Sequence, residues 1–424
     1  MKKALFILLV PAMISAHTIS ELFDALKEHS QTKSDEMLVQ QAKLGQDLAY
    51  ASLYPKLDLF AKYDNYSLPT GMIPLAPNNM LALVQNTSHP AQPFSYNIYS
   101  EGLHVSMPLF VKSIFTMADS AKMTQKSVQE KKRLNLIKNE ALIIGSDAEL
   151  VYLSSLREAL LAQKQSLLES KKIVEIKVQN GRESEAPLYM INDRLNQIEI
   201  ALNNAEIAKK SAQSIIETLS GILVEEPIVI QKIADVTPND FESLSPVRAN
   251  LSAQQLQLKA KKEQLYPSLY AHGNYVFSQG DAYNKSENMH EEYGNVGVVL
   301  NVPLFDMNTN DAVSLEQLKL RTSQIQLQKL HDELASESKL LQDSLKLQEN
   351  SMKMYEKSVE EKKKLLVIAK LKFELGRIST EEYLRYEDDV SAQEANLYRT
   401  KAKWWQTLMQ QAVIYANNIE EIVQ

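Results

Sequence analysis

Leu53-Tyr54-Pro55-Lys56-Leu57 returns as Leu265-Tyr266-Pro267-Ser268-Leu269, and Val105-Ser106-Met107-Pro108-Leu109-Phe110 returns as Leu300-Asn301-Val302-Pro303-Leu304-Phe305. Gly181-Arg182, followed by Ser184, reappears as Gly376-Arg377, followed by Ser379. The last two matches share one displacement, since 303 − 108 and 376 − 181 both equal 195. Chance does not keep an interval of that length. The chain is written twice, and each half is one structural unit.

Within each half the order reads helix, Tyr-Pro, alternating stretch, Pro-Leu-Phe, very long helix, Gly-Arg turn, helix. In the first half the long helix is predicted from about Phe115 to Val178, with an apolar seam at Leu136, Ile143 and Leu150, then Leu153, Leu160, Leu167 and Val174. In the second the seam runs Leu320, Leu327, Leu334, Leu341, then Leu345, Met352, Val359, Leu366 and Phe373. Steps of seven are coiled-coil seams. At 1.5 Å per residue, roughly 60 residues make a rod of about 90 Å. Each rod turns back at its Gly-Arg, where glycine can take the left-handed cap. A plain antiparallel coiled-coil spacer would fit these helices by themselves.

The alternating stretches argue otherwise. Leu57, Leu59, Ala61 and Tyr63 alternate with Asp58, Phe60, Lys62 and Asp64; Leu103, Val105 and Met107 alternate with Gly102, His104 and Ser106. Leu269, Ala271, Gly273, Tyr275 and Phe277 alternate with Ser268, Tyr270, His272 and Asn274; Val296, Val298, Leu300 and Val302 complete the set. Four tyrosine-rich strands of about ten residues are expected, apolar on one face and polar on the other. Lipid-facing strands around an aqueous lumen read this way, and so does a soluble sandwich. Two loops separate the strand pairs, about 68–94 and 278–293. The first Tyr-Pro to Pro-Leu-Phe interval spans 54 residues against 37 in the second, so the first loop carries 17 more. Between the halves, Glu225-Glu226-Pro227-Ile228-Val229-Ile230 reads as a short edge strand.

Composition narrows the chemistry. The 424 residues include 11 Gly, 14 Pro and no Cys, which excludes disulfides, thiolate ligands, a Cys nucleophile and lipidation of an N-terminal Cys. Charged residues at 23% and hydrophobic ones at 44% are ordinary for a folded chain. A net charge of −7 with no basic block argues against nucleic acid as a partner. The seven histidines lack ligand spacing, and no nucleophile–base pair, phosphate loop or dinucleotide fingerprint occurs, so no catalytic residue, metal or cofactor is expected. Met1-Lys2-Lys3, the apolar run Ala4–Val10 and Ile14-Ser15-Ala16 read as a signal peptide. Removing residues 1–16 would take the net charge to −9, because Lys2 and Lys3 go with no acid. No later run approaches the roughly 18 apolar residues of a spanning helix. The expected division is a signal peptide (1–16), a first repeat (17–224), a linker (225–246) and a second repeat (247–424).

Four strands cannot close a barrel, and open edges are not tolerated in hydrocarbon, so such a chain must oligomerise; three copies supply twelve strands. Tyr-Pro before strands, Pro-Leu-Phe after them, a Gly-x-x-Ser turn, duplication and a signal peptide together resemble the TolC family of outer-membrane efflux proteins. The resemblance implies a mainly α fold with a small membrane β part. Long antiparallel coiled-coil hairpins and four strands per chain would contribute to a homotrimeric twelve-stranded barrel and an α-helical tunnel. It further implies a passive duct of a tripartite efflux or type I secretion system, not an enzyme. Such a duct sits in the outer membrane of a Gram-negative bacterium, in contact with its lipid, and extends into the periplasm. It meets a periplasmic membrane-fusion adaptor and an inner-membrane pump. A periplasmic coiled-coil adaptor or a structural envelope protein is the alternative. Two equal hairpins with tyrosine-rich strands argue against it.

By that resemblance Asn180, Gly181 and Arg182, with Leu375, Gly376 and Arg377, are the adaptor-contact tips. Family members often narrow the entrance with carboxylates six and nine residues beyond the second turn glycine. Those positions are Glu382 and Arg385 here, with Asp389 further on, so one acid is kept and one is reversed in charge. Three copies of Glu382 would form a ring favouring cations. The same spacing also allows Arg385 to pair within its helix with Glu382 and Asp389. His104 and His272 fall on the polar strand face, and Trp404-Trp405 read as packing residues.

Overall fold

The structure is a computed structural model that describes residues 17–86 and 89–424. The expected signal peptide lies outside the described residues. The chain forms two compact units, each drawing on both halves of the sequence.

The helical unit comprises the described residues up to Val39, with Gln129–Pro246 and Leu327–Gln424. It begins with α1 (Ile19–Glu28), opened by a capping box in which Thr18 and Glu21 satisfy each other's backbone N–H. Two helices of 68 residues each, α4 (Lys112–Gln179) and α7 (Met307–Glu374), contribute their C-terminal portions here. They are followed by α5 (Ala186–Ser220) and α8 (Thr380–Ile414), each of 35 residues. Equal lengths in the two halves are the duplication made visible. The seam of α4 holds, with Ile143, Leu150, Leu153, Leu160, Leu167 and Val174 all buried. Leu22, Phe23 and Leu26 of α1 pack in one cluster with Ile143, Ile144, Ile216 and Met409. Trp404 and Trp405 meet edge to face and both pack against this core.

The segment at 225–230 is not the short edge strand expected from its composition, because its backbone is satisfied otherwise. The N–H of Ile228 donates to Asp147 Oδ1 at 2.9 Å, and the only bridge nearby joins Lys232 to Val423. Asp147 is fully buried, and that burial pushes its carboxyl up to about 7 against the pull of this one hydrogen bond. Glu140, also buried, is pushed up to about 7 by desolvation and by the charge of Glu420, with Lys27 opposing.

The second unit comprises Gln40–Val128 and Val247–Gln326. It contains most of α2 (Ser30–Ala51), α3 (Pro77–Gln85), α6 (Ser245–Glu263) and an antiparallel sheet in the order β1-β2-β3-β4. The strands are β1 (Lys56–Gly71), β2 (Phe94–Phe110), β3 (Ser268–Asp281) and β4 (Asn288–Asn301). At 14–17 residues they exceed the expected ten, since pairing continues through polar rows such as Asp281↔Asn288. β2 also runs through Pro108, whose missing N–H falls where the register shifts before Phe110. The short helix α3 inside the first loop was not legible in the sequence.

Register sorts the side chains. Leu57↔Val105↔Gly273↔Val296 and Leu59↔Leu103↔Tyr275↔Gly294 share one face. Asp58↔His104↔Asn274↔Asn295, Phe60↔Gly102↔Val276↔Tyr293 and Lys62↔Ser100↔Ser278↔Glu291 share the other. The burial is inverted relative to a water-soluble sheet. Leu59 and Val296 are 80% and 90% exposed, whereas Ser100 and Ser278, whose hydroxyls meet at 3.0 Å, are 3% and 1% exposed. Beyond the strands, the two loops are strapped together. The Tyr283 hydroxyl donates to Gln92 Oε1 at 2.9 Å and its N–H to the Phe94 carbonyl at 2.9 Å. Asn284 receives the Gln92 N–H at 3.1 Å and donates to the Pro90 carbonyl at 3.0 Å.

β2 and β3 approach closely at Gly102, where an added Cβ would stand 2.2 Å from the Tyr275 carbonyl oxygen. Gly102→Ala should therefore lower the thermal unfolding midpoint of the purified protein, at a cost of about 2 kcal/mol or more. An unchanged midpoint would show that the two strands part freely at this row.

Candidate functional site: the paired helix-turn-helix tips

Both turns of the helical unit end their long helix in the same way. Gly181 and Gly376 take φ of +65° and +69° with nothing within 4 Å of an added Cβ, so backbone conformation, not space, calls for glycine. Arg182 N–H reaches the Lys177 carbonyl at 2.8 Å and Gly181 N–H reaches Val178 at 2.9 Å. Arg377 N–H reaches Lys372 at 2.8 Å and Gly376 N–H reaches Phe373 at 3.0 Å. These are two Schellman caps with identical bonding. The return helices differ. α8 is capped by Ser379, whose Oγ accepts the Glu382 N–H at 3.1 Å, whereas α5 has no side-chain cap and starts with Pro187 in its first turn.

The tips pack side by side. Leu167 and Val174 of α4, Ile191 of α5, Phe373 of α7 and Tyr383 of α8 belong to one buried cluster. Phe373 and Tyr383 stack at 4.8 Å, and Lys177 lies 5.2 Å from the Phe373 ring centre. The six tip residues Asn180, Gly181, Arg182, Leu375, Gly376 and Arg377 are all exposed. Exposed Ile176 and Tyr189 flank the first turn, and exposed Leu371 flanks the second.

Beside the tips, α5 and α8 border a cleft of about 540 Å³ lined by both Glu382 and Arg385. Arg385 has no ion pair with Glu382 or Asp389 among the described residues; Asp389 is instead bound by Lys362 Nζ of α7 at 2.7 Å. The intrahelical spacing seen in the sequence is thus not used, because a neighbouring helix supplies a closer cation.

The hairpins are tied together by two residues that read in the sequence only as part of an acidic run, Glu387 and Asp388. Glu387 of α8 is 5% exposed, and its Oε1 accepts from the Ser166 hydroxyl of α4 and from the Tyr383 hydroxyl at 2.8 Å. Its Oε2 has no hydrogen-bond partner. Burial raises the carboxyl of Glu387 above its ordinary range; the two hydroxyls pull it back, and the charge of Asp388 pushes it further up. Burial likewise raises the Tyr383 phenol. One residue on, Asp388 accepts from Gln163 Nε2 of α4 at 2.8 Å and from Arg194 Nε of α5 at 3.1 Å. Of these two adjacent acids of α8, Glu387 binds α4 and Asp388 binds both α4 and α5.

A carboxyl whose folded value lies above its unfolded one contributes stability fully present below the unfolded value and lost as pH rises through the folded one. Glu387→Gln keeps an acceptor for Ser166 and Tyr383 and removes the titration. Its unfolding midpoint should exceed that of the wild type by more at pH 8 than at pH 5. An equal difference at both would show that the carboxylate stays charged throughout.

No family model and no curated protein matches the chain. Solved structures do. The chain is similar to the Campylobacter jejuni CmeC outer-membrane channel at 17% identity and a TM-score of 0.76, over 94% of this chain and 85% of that one. It is similar to the Vibrio cholerae outer-membrane protein VceC at 14% identity and a TM-score of 0.78, over 94% and 96%. The open state of the Neisseria gonorrhoeae MtrE outer-membrane channel aligns at 13% identity and a TM-score of 0.74, over 95% and 90%. At these identities the likeness establishes architecture, and the chain has the TolC-like fold of outer-membrane channels.

Proposed function

We propose that the protein is the outer-membrane channel of a tripartite efflux or type I secretion system, a passive duct that crosses the membrane as a homotrimer and is gated at its helical tips. The observation that carries this reading is the inverted sheet, with Leu57, Leu59, Val296, Val298 and Leu300 exposed on one face and Ser100 and Ser278 buried on the other. An apolar face of this kind is matched by lipid and its polar opposite by a water-filled lumen. Two further copies would pair the open edges at β1 and β4, as hydrocarbon demands. No helix among the described residues is long and apolar enough to cross a membrane, so in this reading the strands do the crossing. The division into two repeats joined by a linker at 225–246 belongs to the same reading.

The tips Asn180, Gly181, Arg182, Leu375, Gly376 and Arg377 are the proposed contact for a periplasmic adaptor, which in turn engages an inner-membrane pump. Glu382, Arg385 and Asp389 belong to the proposed periplasmic entrance. Asp389 is neutralised by Lys362, and Glu382 shares its cleft with Glu381, Asp193 and the opposing charge of Arg385, so its carboxylate contributes to the cation preference proposed there.

Separation of outer from inner membranes, with gels run before and after boiling, tests the assembly. A heat-labile trimer in the outer membrane supports the duct, and a soluble monomer overturns it. In planar bilayers Glu382→Ala should raise single-channel conductance or reduce cation selectivity. Unchanged values would make Glu382 a helix-surface residue only.

A further inference from the structure

Of the rows on the polar face that span all four strands, one is not polar. Phe60 of β1, Gly102 of β2, Val276 of β3 and Tyr293 of β4 stand in register across all four strands. The Phe60 ring lies across Gly102, its Cζ 3.2 Å from where a Cβ would stand, so glycine provides the seat on which the ring rests. Val276 is buried, and Phe60 and Tyr293 are half-buried within one chain. An aromatic covering a strand glycine is a familiar stabilising device, but Tyr293 covers no glycine of its own row.

Charge on either side of this row is uneven. Lys62 is bound to Asp64 at 2.8 Å, which neutralises that pair. His104 is engaged with the Asn274 amide at 2.6 Å, and Asn274 donates to Asn295 at 3.2 Å. Asp58, one row to one side, and Glu291, one row to the other, have no hydrogen-bond or ion-pair partner among the described residues. Lys56, the nearest cation not held in a pair, stands a further row beyond Asp58. The apolar row is thus bracketed by two free carboxylates.

We propose that Phe60, Val276 and Tyr293 form a belt on the channel wall at which a water-soluble organic cation bearing an aromatic ring dwells in transit. The inference rests on the channel reading above, which turns this face toward the lumen. Ring faces attract both aromatic groups and quaternary ammonium, and the flanking carboxylates add the charge preference. Three copies would repeat the belt around the pore at one level.

The test uses the purified full-length protein in planar bilayers, with benzyltrimethylammonium as probe, tetramethylammonium as the ring-free control and benzenesulfonate as the charge-reversed control. Wild-type channels should be interrupted by benzyltrimethylammonium at concentrations where neither control acts. Phe60→Ala and Tyr293→Ser should each weaken that block by about tenfold while leaving open channels, and Phe60→Trp should retain it. If Phe60→Ala fails to assemble, Tyr293→Ser decides. Equal block by all three compounds, or block unchanged in the variants, overturns the belt and leaves the duct standing. Absence of any wild-type channel overturns the duct, and the belt with it.

Discussion

Every backbone N–H and C=O that faces hydrocarbon must find its partner within the protein, since the lipid offers none. In the proposed channel, the free edges of Lys56–Gly71 and Asn288–Asn301 are where this chain would meet that demand. Inside the sheet the ladder satisfies it. At the edges only another strand can, and the two edge strands belong to different repeats. In the proposed trimer, each repeat therefore meets its counterpart twice, once across β2 and β3 of one chain and once between neighbouring chains. Duplication supplies two hairpins similar enough for both junctions to be antiparallel pairs.

The helical unit answers a different problem with the same economy of parts. A 68-residue helix has no stability of its own to spare, and its seam must be covered along its length. The return helices do this at the tips, where Ile191 and Tyr383 meet Leu167 and Phe373, and deeper in Met409 of α8 and Leu22 of α1 join Ile143. Polar ties are concentrated on α8, where Glu387 reaches α4 and Asp388 reaches both α4 and α5. Apolar seams set which helices lie together, while these acids decide how firmly they are held.

Much of this architecture could be read from the residues. Steps of seven located the first long helix to within a few residues and followed the second from Leu320 to its end, though that helix begins at Met307, and Gly181 and Gly376 marked turns that proved alike in their hydrogen bonds. Alternation identified the strands and their faces but not their length. Pairing outlasts the apolar rows and even passes Pro108, which only the partner register reveals. The segment after Glu226 looked like a strand by composition, whereas its N–H at Ile228 goes to Asp147, about 80 residues away. The tip network was hidden for the same reason. Tyr383 and Glu387 are one helical turn apart and visible, but Ser166 lies 221 residues from Glu387. Arg385 shows the converse, a local spacing that suggested pairs, of which the one with Asp389 is pre-empted by Lys362 of α7.

The strap of Tyr283 and Asn284 on Gln92, Pro90 and Phe94 bears on a hazard peculiar to this sheet. β2 and β3 come from opposite halves of the chain, so no short turn sets their alignment. A slip of a single residue would exchange the two faces, placing Leu103 and Tyr275 on the buried side and Ser100 and Ser278 on the exposed, apolar one. Four hydrogen bonds between the loops fasten one end of that seam, and the tight seats at Gly102 and Gly280 admit no side chain if the strands shift past each other. The loops thus act as an indexing pin, and the added length of the first loop carries the residues that engage it.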